Sequence, residues 1–284
     1  MFAIVGIVVV LGSIISGYLL EHGNLSVLFQ PAEVVIIFGA AIGSFLISSP
    51  GPVAKLVAGN IGKVFSGGGT TKAHYLEILA LLSLIFSKIR KEGLISIESD
   101  IENPVASPMF SKFKSVVSNR HAVDFICDNL KVMITTNLSP HELDGIMEID
   151  MDAQHSEEIL PSQSINKIGD ALPGLGIVAA VLGVVITMGK IDQPPAVLGH
   201  SIGAALVGTF LGVLMCYGFV GPMATNLEHK AREKEIYAMV IRTALVAFVG
   251  GAAPQMAVES GRRAIPGKAR PSFAELEVAL RKKP

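Results

Sequence analysis

Half of the 284 residues are hydrophobic, only 17% are charged, and the mean hydropathy is +0.55. A chain of this size and apolarity is not an ordinary soluble domain; its oily residues fall in segments, which points to membrane spans. The net charge of −1 gives no electrostatic ground for a nucleic-acid partner or a basic membrane-surface domain.

Residues 1–20, "MFAIVGIVVVLGSIISGYLL", carry no charged side chain. They lack the basic n-region and Ala-x-Ala-like cleavage site of a signal peptide, so they read as a retained span. Residues 34–54, "VVIIFGAAIGSFLISSPGPVA", are likewise uncharged and form the second span. About 20 apolar residues suffice to cross the hydrocarbon core. "FSGGGTT" (Phe65 to Thr71) is a flexible break in which Thr70 or Thr71 caps the next helix, 72–92, and Gly93 ends it. The apolar positions of that helix nearly encircle its axis, which predicts burial on several sides.

"SKIRKEGLISIESDIENP" (Ser87 to Pro104) then crowds Lys88, Arg90, Lys91, Glu92, Glu98, Asp100 and Glu102 into one stretch. Composition alone reads it as a solvated surface with weak ion pairs. "SPMFSKFKSVVSNRHAVDFICDNLKVMITT" has apolar spacing near 3.6, and the acidic "HELDGIMEIDMDAQHSEEIL" is helical and leads toward a third span at 171–189. A fourth span occupies 201–227, and "NLEHKAREKEIYAMVIRTALV" continues from it as helix. Residues 243–258 offer sixteen uncharged positions interrupted by Gly250-Gly251 and Pro254, too short and broken to count as a fifth.

Lysine and arginine set the orientation. The loop between spans one and two has none, and that between spans three and four has only Lys190. Residues 50–169 hold eleven and residues 223–284 hold eleven, so both termini and the central segment are expected in the cytoplasm. The sequence thus predicts an all-α integral membrane protein divided as 1–49, 50–169, 170–222 and 223–284. Two transmembrane pairs alternate with a large helical cytoplasmic insert and a cytoplasmic tail.

The spans are nearly empty of ionisable groups, which are costly there and usually functional. Glu33 and Asp170 sit at span ends and read as interfacial carboxylates; Asp170, just before Leu172-Pro173, suits a helix N-terminus. His200 is similarly placed before span four. "GLGIVAAVLGVV" and "GAALVGTFLG" carry small residues at spacings that let helices approach closely. Thr187 and Thr209 are the polar groups within them, each expected to bond its own i−4 carbonyl. Pro173 and Pro222 bracket the pair, as helix ends and kinks or as hinges. The seven His, two Cys and the acids show no metal-ligand spacing, and "GGGTT" lacks the lysine of a phosphate loop. The chain does not read as an enzyme, and no metal or cofactor is expected.

"IRKEGLISIESDIENP", "GDALPGLGIVAAVLGVV", "VGTFLGVLMCYGFVGPMA" and "AVESGRRAIPGKARPSFAELE" together resemble, in order, four signature regions of the MotA family, stator subunits of the bacterial flagellar motor. The related ExbB and TolQ energisers have three spans, against four here. The resemblance implies a homo-oligomeric, pentameric ring in the bacterial cytoplasmic membrane around a MotB-type single-span partner that supplies the proton-binding aspartate. It implies contact of Arg90 and Glu98 with the rotor protein FliG, and conformational coupling through Pro173 and Pro222. Ala180, Thr209 and Thr187 are implied to line the ion path. Sodium-driven PomA-type relatives carry threonines at the positions matching Ala180 and Thr209; Ala180 offers no side-chain oxygen, so protons are expected over sodium.

Overall fold

The structure, a computed structural model, describes residues Phe2–Arg281. The chain up to Gly67 folds as α1 (Phe2–Leu20), the short α2 (Leu25–Leu28), α3 (Pro31–Ser48) and α4 (Gly51–Ile61). Next come α5 (Lys72–Glu92), α6 (Glu98–Glu102), α7 (Lys114–Ser118), α8 (Arg120–Thr135) and α9 (Pro140–Met188). Then α10 (Pro195–Leu214) passes through a π-helical turn, Met215–Val220, into α11 (Gly221–Val249), followed by α12 (Pro254–Ala264) and α13 (Phe273–Arg281). No strand occurs among the described residues. The chain forms two compact units: one from the chain up to Gly67 with Glu157–His229, the other from Gly68–Ser156 with the chain from Lys230 onward.

The apolar stretches of four helices lie in the first unit, two of these helices having their remaining turns in the second. Phe2–Leu20, Leu25–Ser48, Pro140–Met188 and Pro195–Val249 are each long and apolar enough to cross a membrane. Helix α1 buries none of its residues, which suits a helix whose solvent is lipid rather than water. Asn24 starts α2 by accepting the Ser26 amide on Oδ1 at 3.0 Å, and Pro31 opens α3 at the position where its missing N–H costs nothing. A core of Ile37, Ala41, Leu172, Ala179 and Cys216 joins α3, α9 and the π-helical turn. A second core, Val57, Val64, Ile165, Ala224 and Leu227, joins α4 to α9 and the start of α11.

Two expectations are corrected in this unit. Asp170 does not mark a helix start, because α9 runs without a break through Pro161 and Pro173. Neither proline ends the helix, so Pro173 as a helix terminus is excluded. Pro222 is likewise the second residue of α11, directly after the π-helical turn.

The second unit is built around α5, which buries Tyr75, Ile78, Leu79, Leu81, Leu82, Ile85 and Phe86. That is the many-sided burial its sequence foretold. Thr71 and His74 form a capping box at its start, with His74 Nδ1 accepting the Thr71 amide at 3.2 Å. Gly93 ends it at φ 89°, a conformation costly for any side chain. Phe125, Ile126 and Leu130 of α8 and Val240, Ile241 and Leu245 of α11 complete the core, and Phe86 stacks on Phe248 at 4.3 Å. Residues 243–258 are no fifth span: Ala244, Leu245, Phe248, Ala257 and Val258 are buried in this core around the turn at Gly250 and Gly251. Arg242 ties α11 to α9 through Asp144 (2.6 Å) and Glu148 (3.3 Å), and hydrogen bonding to Arg242 holds the Asp144 carboxyl below its ordinary value. Burial pushes the Cys127 thiol up to about 12, leaving it an unreactive core residue.

Candidate functional site

Within the first unit, α9 and α10 meet along a seam of small residues. A methyl group added to Gly176 would lie 2.7 Å from the Gly208 carbonyl oxygen and 3.1 Å from Gly212 Cα. One added to Gly212 would lie 2.5 Å from the Leu172 carbonyl oxygen, and one on Gly183 2.7 Å from Ala205 Cβ. The helices therefore touch backbone to backbone, which only glycine permits. In the Gly208–Gly212 repeat, glycines four apart fall on one face of α10.

The residues that the family resemblance implies along an ion path sit on or beside this seam. Ala180 follows the buried Ala179, and its amide nitrogen would be 3.1 Å from a methyl on Gly208. Thr209 is half-buried beside Gly208, and its Cα would be 3.3 Å from a methyl on Gly176. Thr187 is buried and donates its hydroxyl to the Gly183 carbonyl at 2.8 Å, the i−4 bond foreseen from sequence. Pro173 lies just after buried Leu172, three residues before Gly176.

Pro222 lies elsewhere along the helix, beyond a turn that is wound differently. The Gly221 amide donates to the Cys216 carbonyl, five residues back, so the ladder is already shifted when the proline arrives. A cavity of about 480 Å³ opens around Pro222, with Asn166, Asp170, Asn226 and His229 among its lining. Asp170 is exposed there and accepts from Asn166 Nδ2 at 3.2 Å.

Glu33 corrects the sequence reading most sharply. It does not stay within reach of water at a span end: it is 8% exposed, and its Oε2 has no hydrogen-bond partner among the described residues. Its position in the first turn of α3 gave no sign of this, because the glycines it lies against, Gly183 and Gly208, belong to α9 and α10.

In the second unit, Arg90 and Glu98 lie on either side of the Gly93 turn. Glu98 opens α6, is exposed, and pairs with no cation among the described residues. Arg90 is exposed but engaged: its Nη2 donates to the carbonyls of Gly251 (3.2 Å) and Ala252 (2.9 Å). Its guanidinium carbon stands 5.7 Å from the Phe248 ring centroid.

Lys88 and Asp100 are not the solvated charges that composition suggested. Lys88 Nζ lies 2.8 Å from Asp100 Oδ2, and Ser107 donates to Asp100 Oδ1 at 2.6 Å. Burial raises the Asp100 pKa, but the hydrogen bonds from Lys88 and Ser107 and the Lys88 charge outweigh it, so the carboxyl sits below its ordinary value. Sequence reasoning missed this cluster because its members come from three segments folded over the Gly93 turn. No cluster of His, Cys, Asp and Glu able to hold a metal occurs among the described residues.

Residues 4–93 match the family model for the motility protein A N-terminal region, and residues 113–239 that of the MotA/TolQ/ExbB proton channel family. Motility protein A of Escherichia coli strain K12 is 41% identical over 281 residues, covering 99% of this chain and 95% of that protein. Chemotaxis protein LafT of Vibrio parahaemolyticus is 35% identical over 272 residues, covering 96% of this chain and 95% of the other. Among solved structures, a chain of the flagellar MotAB stator complex from Bacillus subtilis superposes with a TM-score of 0.78 at 24% identity, covering 97% of this chain and all of that one. That last likeness establishes the fold.

Proposed function

The chain belongs to the MotA/TolQ/ExbB proton channel family, within its motility protein A branch, and from that membership we propose that it is a stator subunit of the bacterial flagellar motor. The observation that carries the proposal is the 41% identity to a motility protein A over nearly the full length of both chains. It sits in the cytoplasmic membrane with both termini and the second unit on the cytoplasmic side, as the lysine and arginine distribution supports. Several copies ring a MotB-type single-span subunit whose aspartate binds the coupling ion.

The ion path runs beside the α9–α10 seam, with Ala180, Thr209 and Thr187 along it. The coupling ion is the proton. Ala180 brings no side-chain oxygen, which leaves only the Thr209 and Thr187 hydroxyls among these three for a hard cation that needs several oxygen ligands. Pro173 and Pro222 couple the partner's protonation to movement of α9 and α11. Pro173 removes one backbone bond inside a continuous helix, and Pro222 follows a turn whose bonds are already shifted. Both places bend at low cost. Arg90 and Glu98 present opposite charges to the rotor protein FliG. Complementary exposed charges favour fast, oriented and repeatable engagement over tight binding.

Deletion followed by a swimming assay tests the proposal. Cells that assemble filaments but do not rotate them are the expected outcome, restored by the wild-type gene. Normal swimming of a deletion strain that carries no other stator set would overturn it.

A further inference from the structure

Glu33 is an acid without an obvious occupation. Its side chain reaches from α3 into the seam between α9 and α10. Oε2 occupies the space that a methyl group on Gly208 would need, 2.6 Å away, and Oε1 stands 3.6 Å from the corresponding point on Gly183. The Gly208 point is also 3.1 Å from both Ala179 Cβ and the Ala180 amide nitrogen, so the carboxyl reaches the level of Ala180. The oxygen is shut off from solvent and has no hydrogen-bond partner among the described residues.

Among the described residues no cation pairs with it. Between Ala171 and Met188 on α9, and throughout α10, the only ionisable side chain is His200, which is exposed in the first turns of α10. Helix α3 carries no ionisable group besides Glu33, and α2 carries none. An isolated carboxylate in such surroundings is far costlier than the neutral acid, and a group in that position takes up a proton. Sodium would need several further oxygens, and the side chains of these alanines and glycines supply none.

We propose that Glu33, inserted between Gly183 and Gly208, is a proton-binding site of its own, a relay carboxyl in addition to the partner's aspartate. This rests on the proton-driven reading of the ion path. A proton from the side of the loop joining α1 to α3 adds to Oε2 and gives the neutral acid. The same carboxyl releases it toward the partner's carboxylate, becomes the anion, and is protonated again from the loop side. The glycine at 208 is what leaves room for this group in the seam.

The test uses the full-length protein assembled with its single-span partner in membranes. The partner's aspartate is replaced by asparagine, and the apolar reagent dicyclohexylcarbodiimide, which reacts with protonated buried carboxyls, is applied. Peptide mass mapping is expected to find the adduct on Glu33, absent from Glu33→Gln and retained by Glu33→Asp. In complexes with the native partner, unplugged to leak protons, Glu33→Gln lowers proton flux several-fold while Glu33→Asp keeps most of it. An unlabelled Glu33, or wild-type flux in an assembled Glu33→Gln complex, would overturn the relay. Protection of Glu33 from the reagent by sodium, with a sodium-dependent flux, would instead overturn the proton reading of the whole path.

Discussion

Arg90 Nη2 lies 2.9 Å from the Ala252 carbonyl oxygen, so a residue proposed to contact the rotor also closes a turn of its own protein. The same nitrogen reaches the Gly251 carbonyl, and Gly251 holds φ at 92°. A charge reversal at position 90 therefore removes two things at once. Arg90→Lys separates them, because lysine keeps the charge but cannot reproduce the planar fork. We expect Arg90→Lys to swim near normally while the melting temperature of the purified protein falls, by about 1 kcal/mol of stability. Arg90→Glu is expected to lose both swimming and that stability. If Arg90→Lys is as paralysed as Arg90→Glu, the turn rather than the charge accounts for the phenotype.

Glu98 offers the cleaner probe of rotor contact. It is exposed and unpaired among the described residues, so Glu98→Lys is expected to change stability by less than about 0.5 kcal/mol. Swimming should nevertheless be impaired, and an opposite reversal on the rotor should restore it. A double reversal that swims no better than the single one counts against the contact.

The seam makes a graded prediction across glycines. Gly176→Ala drives a methyl group against the backbone of α10 and is expected to cost about 1–3 kcal/mol, read as loss of assembled protein or a lower melting temperature. Gly203→Ala on the same helix pair meets nothing nearer than Val27 at 3.9 Å and serves as the tolerant control. Equal behaviour of the two would contradict the close backbone approach.

Asp100 gives the second unit an acid-sensitive joint. Its folded-state carboxyl sits below the ordinary value, so its stabilising contribution is present above that ordinary value and is lost as pH falls through the folded one. Asp144 and Glu259 share the sign, held down by hydrogen bonds from Arg242 and Arg262 respectively. Hydrogen exchange at α5 and α6 is expected to accelerate as pH drops below the normal carboxylate range. Asp100→Asn should weaken that acid dependence and cost about 2 kcal/mol at neutral pH. An unaltered acid profile in Asp100→Asn would place the sensitivity elsewhere.

The coupling ion is tested at Ala180. The wild type is expected to keep swimming when external sodium is removed at constant pH. Ala180→Thr, which adds a hydroxyl beside the seam, is the variant in which to look for a response to sodium. Arrest of the wild type on sodium removal would refute the proton assignment.

Much of the architecture was legible because its signals are local. Charge-free runs gave the four apolar helices, although the run 34–54 overshoots the end of α3 at Ser48, and Thr71 and Gly93 marked both ends of α5 where the structure has them. The small residues of "GAALVGTFLG" announced the seam, since close approach needs glycine on the touching face. What escaped were features made by distant parts of the chain. Glu33 reads as interfacial until Gly208 and Gly183 are folded against it, and Lys88 reads as solvated until Ser107 and Asp100 come across the turn. Pro173 left helix end, kink and hinge all open from sequence, and only the continuous α9 removes the first of these. The family resemblance supplied roles for Arg90, Glu98, Pro173 and Pro222, whereas the residues themselves gave only exposure, charge and a missing donor.

The widened turn at Met215–Val220 acts as a phase shifter. Its bonds span five residues instead of four, as from Gly221 to Cys216, so it absorbs one residue more than a regular turn would. Each residue in a regular helix advances the azimuth by about 100°. Excising a single residue from this turn would leave the chain helical and its composition almost unchanged. It would nonetheless swing Ala224 and Leu227 away from Val57 and Ile165, the neighbours they now bury against. The angular timing of the start of α11 is thus encoded in one surplus residue, and proteins of this kind should tolerate substitutions there far better than deletions.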